Sequence, residues 1–270
     1  MMKRIGKFNL MTLDFMWGVF CDFRFHPNFF SRTMNKIVMV GVLLLTSLTG
    51  FSQKIQVLVV TGGHDFDREA FAELFDSMEQ IAWEELAQPK ANKVMLENGL
   101  EKYDVLVFYD MFQEISKDEQ IAFLQLLEKG KPMLFLHHAL VSYQAWGEFQ
   151  NILGGRYYDS KRYTKTPANG FSTYLHDTDI SVQLLATAHP ITAGLTDFSL
   201  FDEVYGNTWV SPEVTPLLGT NHPESTKIIG WEHTYRSSRI IYMQPGHGKS
   251  SYENPNYRKL LLNALLYLAN

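Results

Sequence analysis

Apolar side chains fall along this chain in short unbroken blocks, separated by stretches of helical spacing. Residues 55–61 (IQVLVVT), 104–110 (DVLVFYD) and 133–137 are such blocks. Strands buried on both faces of a parallel sheet need this pattern, because neither face can carry polar groups. Gly62 and Gly63 break the first block. Phe71, Leu74, Phe75 and Met78 then recur at helical spacing and predict a helix over 67–80. Ser116 with Glu119 makes a capping-box pattern. Ile121, Leu124 and Leu127 repeat behind it up to a stop at Gly130. Residues 144–153 predict a further short helix, ended by Gly154 and Gly155. The order β-α-β-α-β-α implies a parallel sheet with helices on both faces.

The pattern changes in the second half, where strands dominate. Residues 171–175, 182–186, 203–210, 227–233 and 239–243 are the candidates, and 256–268 closes the chain as a helix with Leu260, Leu261, Ala264, Leu265 and Leu268 inward. The expected class is α/β, a parallel sheet extended or flanked by antiparallel strands.

The first fifty residues read as an address. From Met34, Lys36 is a short positive region, residues 37–45 are an apolar core, and Gly50 and Ser52 are spaced as at a cleavage site. Residues 34–52 are therefore expected to be a signal peptide cut before Gln53, with an N-terminal membrane anchor as the alternative. Residues 1–33 lie upstream of it and are read as an extension before a true start at Met34. Residues 53–270 are then one exported domain, periplasmic or secreted, with no stable membrane span after cleavage.

Composition narrows the partners. Net charge is −5, but Lys3, Arg4, Lys7, Arg24, Arg32 and Lys36 face only Asp14 and Asp22 before residue 53, so the body is distinctly acidic. There is no basic block, and no nucleic-acid partner is expected. The single cysteine, Cys21, lies in the leading segment. That excludes an intrachain disulfide framework and a cysteine-based zinc cluster.

Ligands of open α/β sheets bind beyond the carboxyl ends of the strands, so polar residues just after the apolar blocks matter most. His64 follows Gly62–Gly63; the run is neither a dinucleotide fingerprint nor a phosphate loop. Asp110 ends the second block. His137 and His138 stand where a hydrolase would carry its nucleophile, and one of them, with His138 favoured, is expected to face the crevice. Glu203 and Tyr205 share a face if their segment is extended, and Asp202 points the other way. His247 sits between Gly246 and Gly248, which let backbone approach a ligand closely. His138, Glu203 and His247 are the catalytic candidates; His64, Asp110, His137 and Tyr205 are the substrate-binding candidates. His64, His137 or His138 (His138 favoured), Glu203 and His247 would also suit zinc or another divalent ion if the fold brings them together. His176, His222 and His233 have weaker settings, and His189 before Pro190 reads equally well as a turn. Trp146, Trp209 and Trp231 read mainly as core.

Six motifs in order, VLVVTGGHDF, YDVLVFYD, KPMLFLHHA, HPITAGL, DEVY and RIIYMQPGHGKSSYENPNYRKLLLNAL, resemble the ThuA-like (trehalose utilisation) family over about residues 55–269. The resemblance implies a flavodoxin-like fold of the class I glutamine amidotransferase type. It also implies that His137–His138 stands at the elbow where amidotransferases carry cysteine, with His247 matching their late histidine. A thiolate glutaminase mechanism is therefore not expected. What is implied is carbohydrate metabolism with a small carbohydrate ligand. The expected function is an enzyme acting on a glycoside or keto-sugar by hydrolysis or elimination. The alternatives are a non-catalytic sugar-binding module and a partner subunit of a saccharide-processing system. A homo-oligomer is compatible with either.

Overall fold

The computed structural model describes residues 53–163 and 165–270. The expected extension and signal peptide lie outside the described residues. No described helix is long and apolar enough to cross a membrane.

Strand β1 (Ile55–Gly62) leads to helix α1 (Arg68–Asp76), whose cap residue Asp67 accepts a hydrogen bond from the Ala70 amide. Next come strand β2 (Ile81–Ala87) and helix α2 (Lys90–Leu96). Strand β3 (Val105–Asp110) precedes helix α3 (Lys117–Glu128), which begins in the expected reciprocal Ser116–Glu119 capping box. Strand β4 (Met133–Leu136) runs directly into a 3-10 turn, His137–Val141, and then helix α4 (Phe149–Leu153). Strands β5 (Gly155–Arg156), β6 (Thr173–Leu184), β7 (Phe198–Gly206), β8 (Trp209–Val210), β9 (Thr215–Gly219), β10 (Ile228–Tyr235) and β11 (Ser238–Met243) follow. Helices α5 (Lys249–Tyr252) and α6 (Pro255–Leu268) close the chain.

The large sheet has the order β2-β1-β3-β4-β11-β10-β9-β6-β7. Its first five strands are parallel and follow the flavodoxin-like order; the last four are paired antiparallel. Alternation along each central strand explains the two-sided burial. Val57, Val59, Val107 and Leu134 pack with α1 and α6 in one core. Leu58, Val60, Leu106, Phe108 and Phe135 pack with α2, α3 and α4 in the other. The expected α/β class, with helices on both faces and added antiparallel strands, is the one observed.

Several boundaries differ from expectation, each for a local reason. The first helix stops at Asp76, capped by Ser77, and residues 81–87 form the edge strand β2. That strand carries Glu84 and Glu85, as a half-exposed edge permits, so it shows no apolar block. The region expected as strands 171–175 and 182–186 is one long β6 with an irregularity between Leu175 and Thr178. The expected strand 203–210 instead begins at Phe198, ends at Gly206, and leaves Trp209–Val210 to pair separately with β5. Most of the expected helix 144–153 is turn, with only Phe149–Leu153 helical.

Candidate functional site

Three loops at the carboxyl ends of β1, β4 and β11 deliver His64, His137–His138 and His247. Each loop is shaped by backbone constraints. Gly63 has φ +78°, and a Cβ there would lie 1.9 Å from the Met111 carbonyl oxygen, so the turn before His64 requires glycine. Gly246 has φ +126°, with the Tyr257 hydroxyl 2.3 Å from where a Cβ would stand. His137 adopts φ +49° without being glycine, a conformation that is held only where the surroundings enforce it. The enforcement is visible: Tyr242 donates to its carbonyl at 3.0 Å, and its Nδ1 lies 2.7 Å from the Gln244 carbonyl oxygen.

The opposite wall comes from the β6–β7 ribbon. Glu203 and Tyr205, two apart on β7, do share a face: the Tyr205 hydroxyl donates to Glu203 Oε2 at 3.2 Å and lies 3.0 Å from His137 Nε2. Glu203 Oε2 is 2.8 Å from His137 Nε2 and 3.1 Å from His247 Nδ1, and the two imidazole nitrogens are 3.0 Å apart. His176 on β6 brings its Nδ1 to 3.3 Å from the other Glu203 oxygen. Asp202 faces away from Glu203 yet serves the same loop. Its carboxylate accepts the Gly246 amide (2.7 Å), the His247 amide (2.9 Å) and the Ser251 hydroxyl (2.5 Å). Adjacent residues of β7 thus hold the ring and the backbone of His247 respectively.

The electrostatics follow from this packing. Burial opposes ionisation of Glu203, but hydrogen bonds from His137 and His247 outweigh it and hold the carboxyl well below the usual carboxylate range. The hydrogen bond to Glu203 raises His247 above an ordinary histidine. His64 moves the other way, lowered first by burial and then by its histidine neighbours. His138 is pushed well below the ordinary value by burial. Among the described residues neither of its ring nitrogens has a hydrogen-bond partner, and the same holds for His64 Nδ1.

A cavity of about 650 Å³ opens against this cluster, lined by His64, His138, His176, Glu203 and Tyr205 among others. His137 is fully buried behind it, and His247, about a quarter exposed, packs against His64 and His176 with ring centroids 5.6 and 4.8 Å apart. The residues that could hold a metal ion are His137, Glu203 and His247, whose ligand atoms lie within 4.8 Å of one another. This differs from the set expected from sequence: His137 takes the place of His138 and His64, because the left-handed turn at His137 aims its ring at Glu203. A carbonyl can only accept, so His137 Nδ1 donates to Gln244, which leaves Nε2 facing Glu203 and His247. With a proton on Nε2 the ring donates to Glu203; without it, the Nε2 lone pair is free for a cation, and two imidazoles with a carboxylate suit zinc. The three atoms sit slightly closer than the roughly 3.3 Å that tetrahedral bonds of about 2.0–2.1 Å would give.

Asp110 does not line the cavity. It is buried, and Gln88 donates to its carboxylate at 3.3 Å and also to Asn92 and Tyr143. His189 pairs with Glu232, His222 with Thr178, and His233 with the Asn151 carbonyl, all away from the cluster. Trp146 and Trp231 are core residues. Sequence reasoning underrated His176, and it missed Phe112, Tyr157 and Tyr174 as cavity walls. The alternation of Tyr174 and His176, in register with Tyr205 across the ribbon, was the available signal.

The family model described as trehalose utilisation (ThuA) matches residues 56–268. The chain belongs to the ThuA family. That membership gives it a role in carbohydrate utilisation, the coarse function expected from the motifs. Solved structures agree on the fold. A ThuA-like protein from Parabacteroides merdae is 16% identical with a TM-score of 0.65, covering 81% of this chain and 91% of its own. One from Bacteroides uniformis is 19% identical with a TM-score of 0.62, covering 82% and 94%. No curated protein matches the sequence significantly.

Proposed function

We propose that this ThuA protein is an enzyme that cleaves a glycoside or keto-sugar by acid–base chemistry around Glu203. The observation that carries the reading is the opposed pair His64 and His247. Their rings are 5.6 Å apart, and their environments drive them in opposite directions, His64 towards the neutral form and His247 towards the protonated form. Groups pushed apart in this way are the natural acid and base of one site. In a sugar with a ring ketone, the C–H bond beside the carbonyl breaks, its proton passing to the neutral His64 imidazole. The electron pair left on carbon forms the enolate. The glycosidic bond on the next carbon then breaks, and its oxygen takes a proton from His247. Glu203 stays ionised and favours the protonated form of His247. Tyr205, its phenol pushed well above the ordinary value by burial, remains a hydrogen-bond donor.

A second reading rests on the convergence of His137 Nε2, Glu203 Oε2 and His247 Nδ1. These three would hold a divalent ion such as zinc, which supplies Lewis-acid polarisation of a carbonyl when bound. Elemental analysis of the purified chain, free of any His tag, separates the readings: stoichiometric transition metal favours the second.

The catalytic test uses trehalose oxidised to a ketone on one ring, in D2O, followed by NMR. The wild type is expected to exchange the proton beside the ketone and release free glucose. His64→Gln abolishes exchange, whereas His247→Gln retains exchange and loses release. Absence of both exchange and release with the wild type, on keto-sugars and on unmodified glycosides, overturns the enzyme reading in favour of a sugar-binding or partner role. Export to the periplasm or beyond is part of the same proposal, and intact-mass analysis of the natural protein tests it: a mature chain starting at Gln53 is expected.

A further inference from the structure

Resting on the catalytic reading above, we propose that Tyr157 is the hydrogen-bond donor to the ketone oxygen, holding the negative charge that gathers there when the neighbouring C–H bond breaks. That step leaves an enolate, and a fixed donor aimed at its oxygen is what stabilises such a charge in an enzyme site. None of the three groups already assigned is free for this. His64 takes the carbon-bound proton, His247 protonates the leaving oxygen, and Glu203 is an anion that would repel the developing charge.

The hydroxyls that line the cavity narrow the choice. They belong to Tyr157, Ser160, Ser172, Thr173, Tyr174 and Tyr205. Tyr205 donates to Glu203 and Ser172 to the Asn207 carbonyl, so both are committed. Ser160, Thr173 and Tyr174 are exposed, as are Lys161 and Arg162, so water competes for their bonds. The His138 imidazole has both nitrogens fully buried and presents no donor to the cavity. Tyr157 alone combines a buried side chain in the cavity wall with a hydroxyl that has no hydrogen-bond partner among the described residues.

Its position is set from several sides. It follows directly on β5, where Arg156 is paired in the ladder with Trp209. Gln144 donates to its carbonyl at 2.8 Å. Its ring packs into the core on the α2–α4 side of the sheet and meets the Tyr205 ring edge-on, with centroids 5.3 Å apart. Tyr205 in turn reaches Glu203, and Glu203 reaches His247, so donor, carboxylate and acid follow one another round the site. A ring locked by packing in this way is preorganised for its hydrogen bond. Burial, with the nearby Asp159 and Glu203 charges, pushes the phenol above its ordinary value, so it keeps its proton. Tyr157 therefore lends a hydrogen bond and gives nothing up. When the glycosidic bond breaks, the enolate electrons form the C=C bond and the ketone is restored.

Exchange in D2O and NMR of the carbonyl carbon test this on the full chain, with the same oxidised trehalose labelled at that carbon. Tyr157→Phe keeps the ring and removes only the donor. Exchange of the proton beside the ketone should slow by about 100-fold or more, the cost of losing one such donor, while KM and the melting temperature stay near the wild-type values. His64→Gln holds the ketone unreacted in the site. There its carbonyl resonance should lie downfield of the free sugar, and adding Tyr157→Phe should return it towards the free position. An exchange rate in Tyr157→Phe equal to wild type overturns the assignment and leaves the acid–base reading intact. So does a carbonyl resonance that is unshifted in His64→Gln, or a shift that survives in the double variant. A Tyr157→Phe protein that loses ketone and trehalose binding alike, with a lowered melting temperature, shows a structural role and overturns the assignment too. A wild type that neither exchanges the proton nor releases glucose overturns both.

Discussion

The two halves of the sheet build the site in different ways. The parallel half, β2 to β11, places its histidines on loops beyond the strand ends, where the backbone is forced into special conformations at Gly63, His137 and Gly246. The antiparallel half places Glu203, Tyr205 and His176 on strand faces, where plain alternation aims them. Loops allow an imidazole to be delivered at an unusual angle, and strands give a carboxylate a fixed register. The cluster needs both, because three histidine rings meet one carboxylate whose position must not shift.

Removing the contribution of the antiparallel half should have the largest effect. Glu203→Gln keeps the shape and deletes the charge that His247 leans on. Turnover is expected to fall by about 10³-fold, within the range for general acid–base groups. In the same variant the His247 imidazole should titrate lower than in the wild type, as followed by NMR. An unchanged His247 titration would show that the two halves are not electrostatically joined.

Asp110 lies in the parallel half and tests its stability. Burial pushes its carboxyl up to about 7 from an ordinary 3.8. The folded protein therefore keeps a proton that the unfolded chain gives up above pH about 4. Stability falls as pH rises from about 4 to about 7 and then levels, by at most on the order of 4 kcal/mol. Asp110→Asn should flatten this slope in denaturant titrations and raise stability at pH 8. A slope identical to wild type would remove Asp110 as its source.

A smaller effect is expected where the halves join. Asp202→Asn loses one of the carboxylate oxygens that hold the Gly246 and His247 amides and Ser251. Turnover should fall by about 10–100-fold, because a displaced catalytic group is costly even when it is chemically intact. Its pH profile should broaden or shift with the loosened His247, which a purely structural loss would not do.

The smallest effect is a control on the parallel half alone. Ser116→Ala breaks the capping box of α3, at about 1 kcal/mol, with no effect on turnover per folded molecule. Loss of activity beyond the loss of fold would mean that the scaffold and the site are coupled through α3.

The same contrast governed how much could be read in advance. In the parallel half the strands β1, β3 and β4 are buried on both faces, so their apolar blocks were legible, and the ends of those blocks pointed to His64, His137 and His138. In the antiparallel half one face is largely open, blocks are short, and β9 was not foreseen; β6 was split in two because Thr178 and its neighbours are polar. Glu203 and Tyr205 were found because alternation survives in a single strand. His176 and Tyr174 obey the same rule, but they matter only because β6 pairs with β7, which local sequence does not state.

By itself the sequence determined the periodicities, the caps and the glycines, and hence an α/β sheet with its histidines at the strand ends. Those are properties of neighbours along the chain, set by backbone sterics and by which faces must avoid water. Tertiary structure alone decided that His137 rather than His138 aims at Glu203, and that Asp202 serves the His247 loop. It also decided that Asp110 is buried outside the cavity lining. These placements depend on hydrogen bonds between residues tens of positions apart, and that of His137 also on a positive φ that no local pattern of apolar and polar residues records.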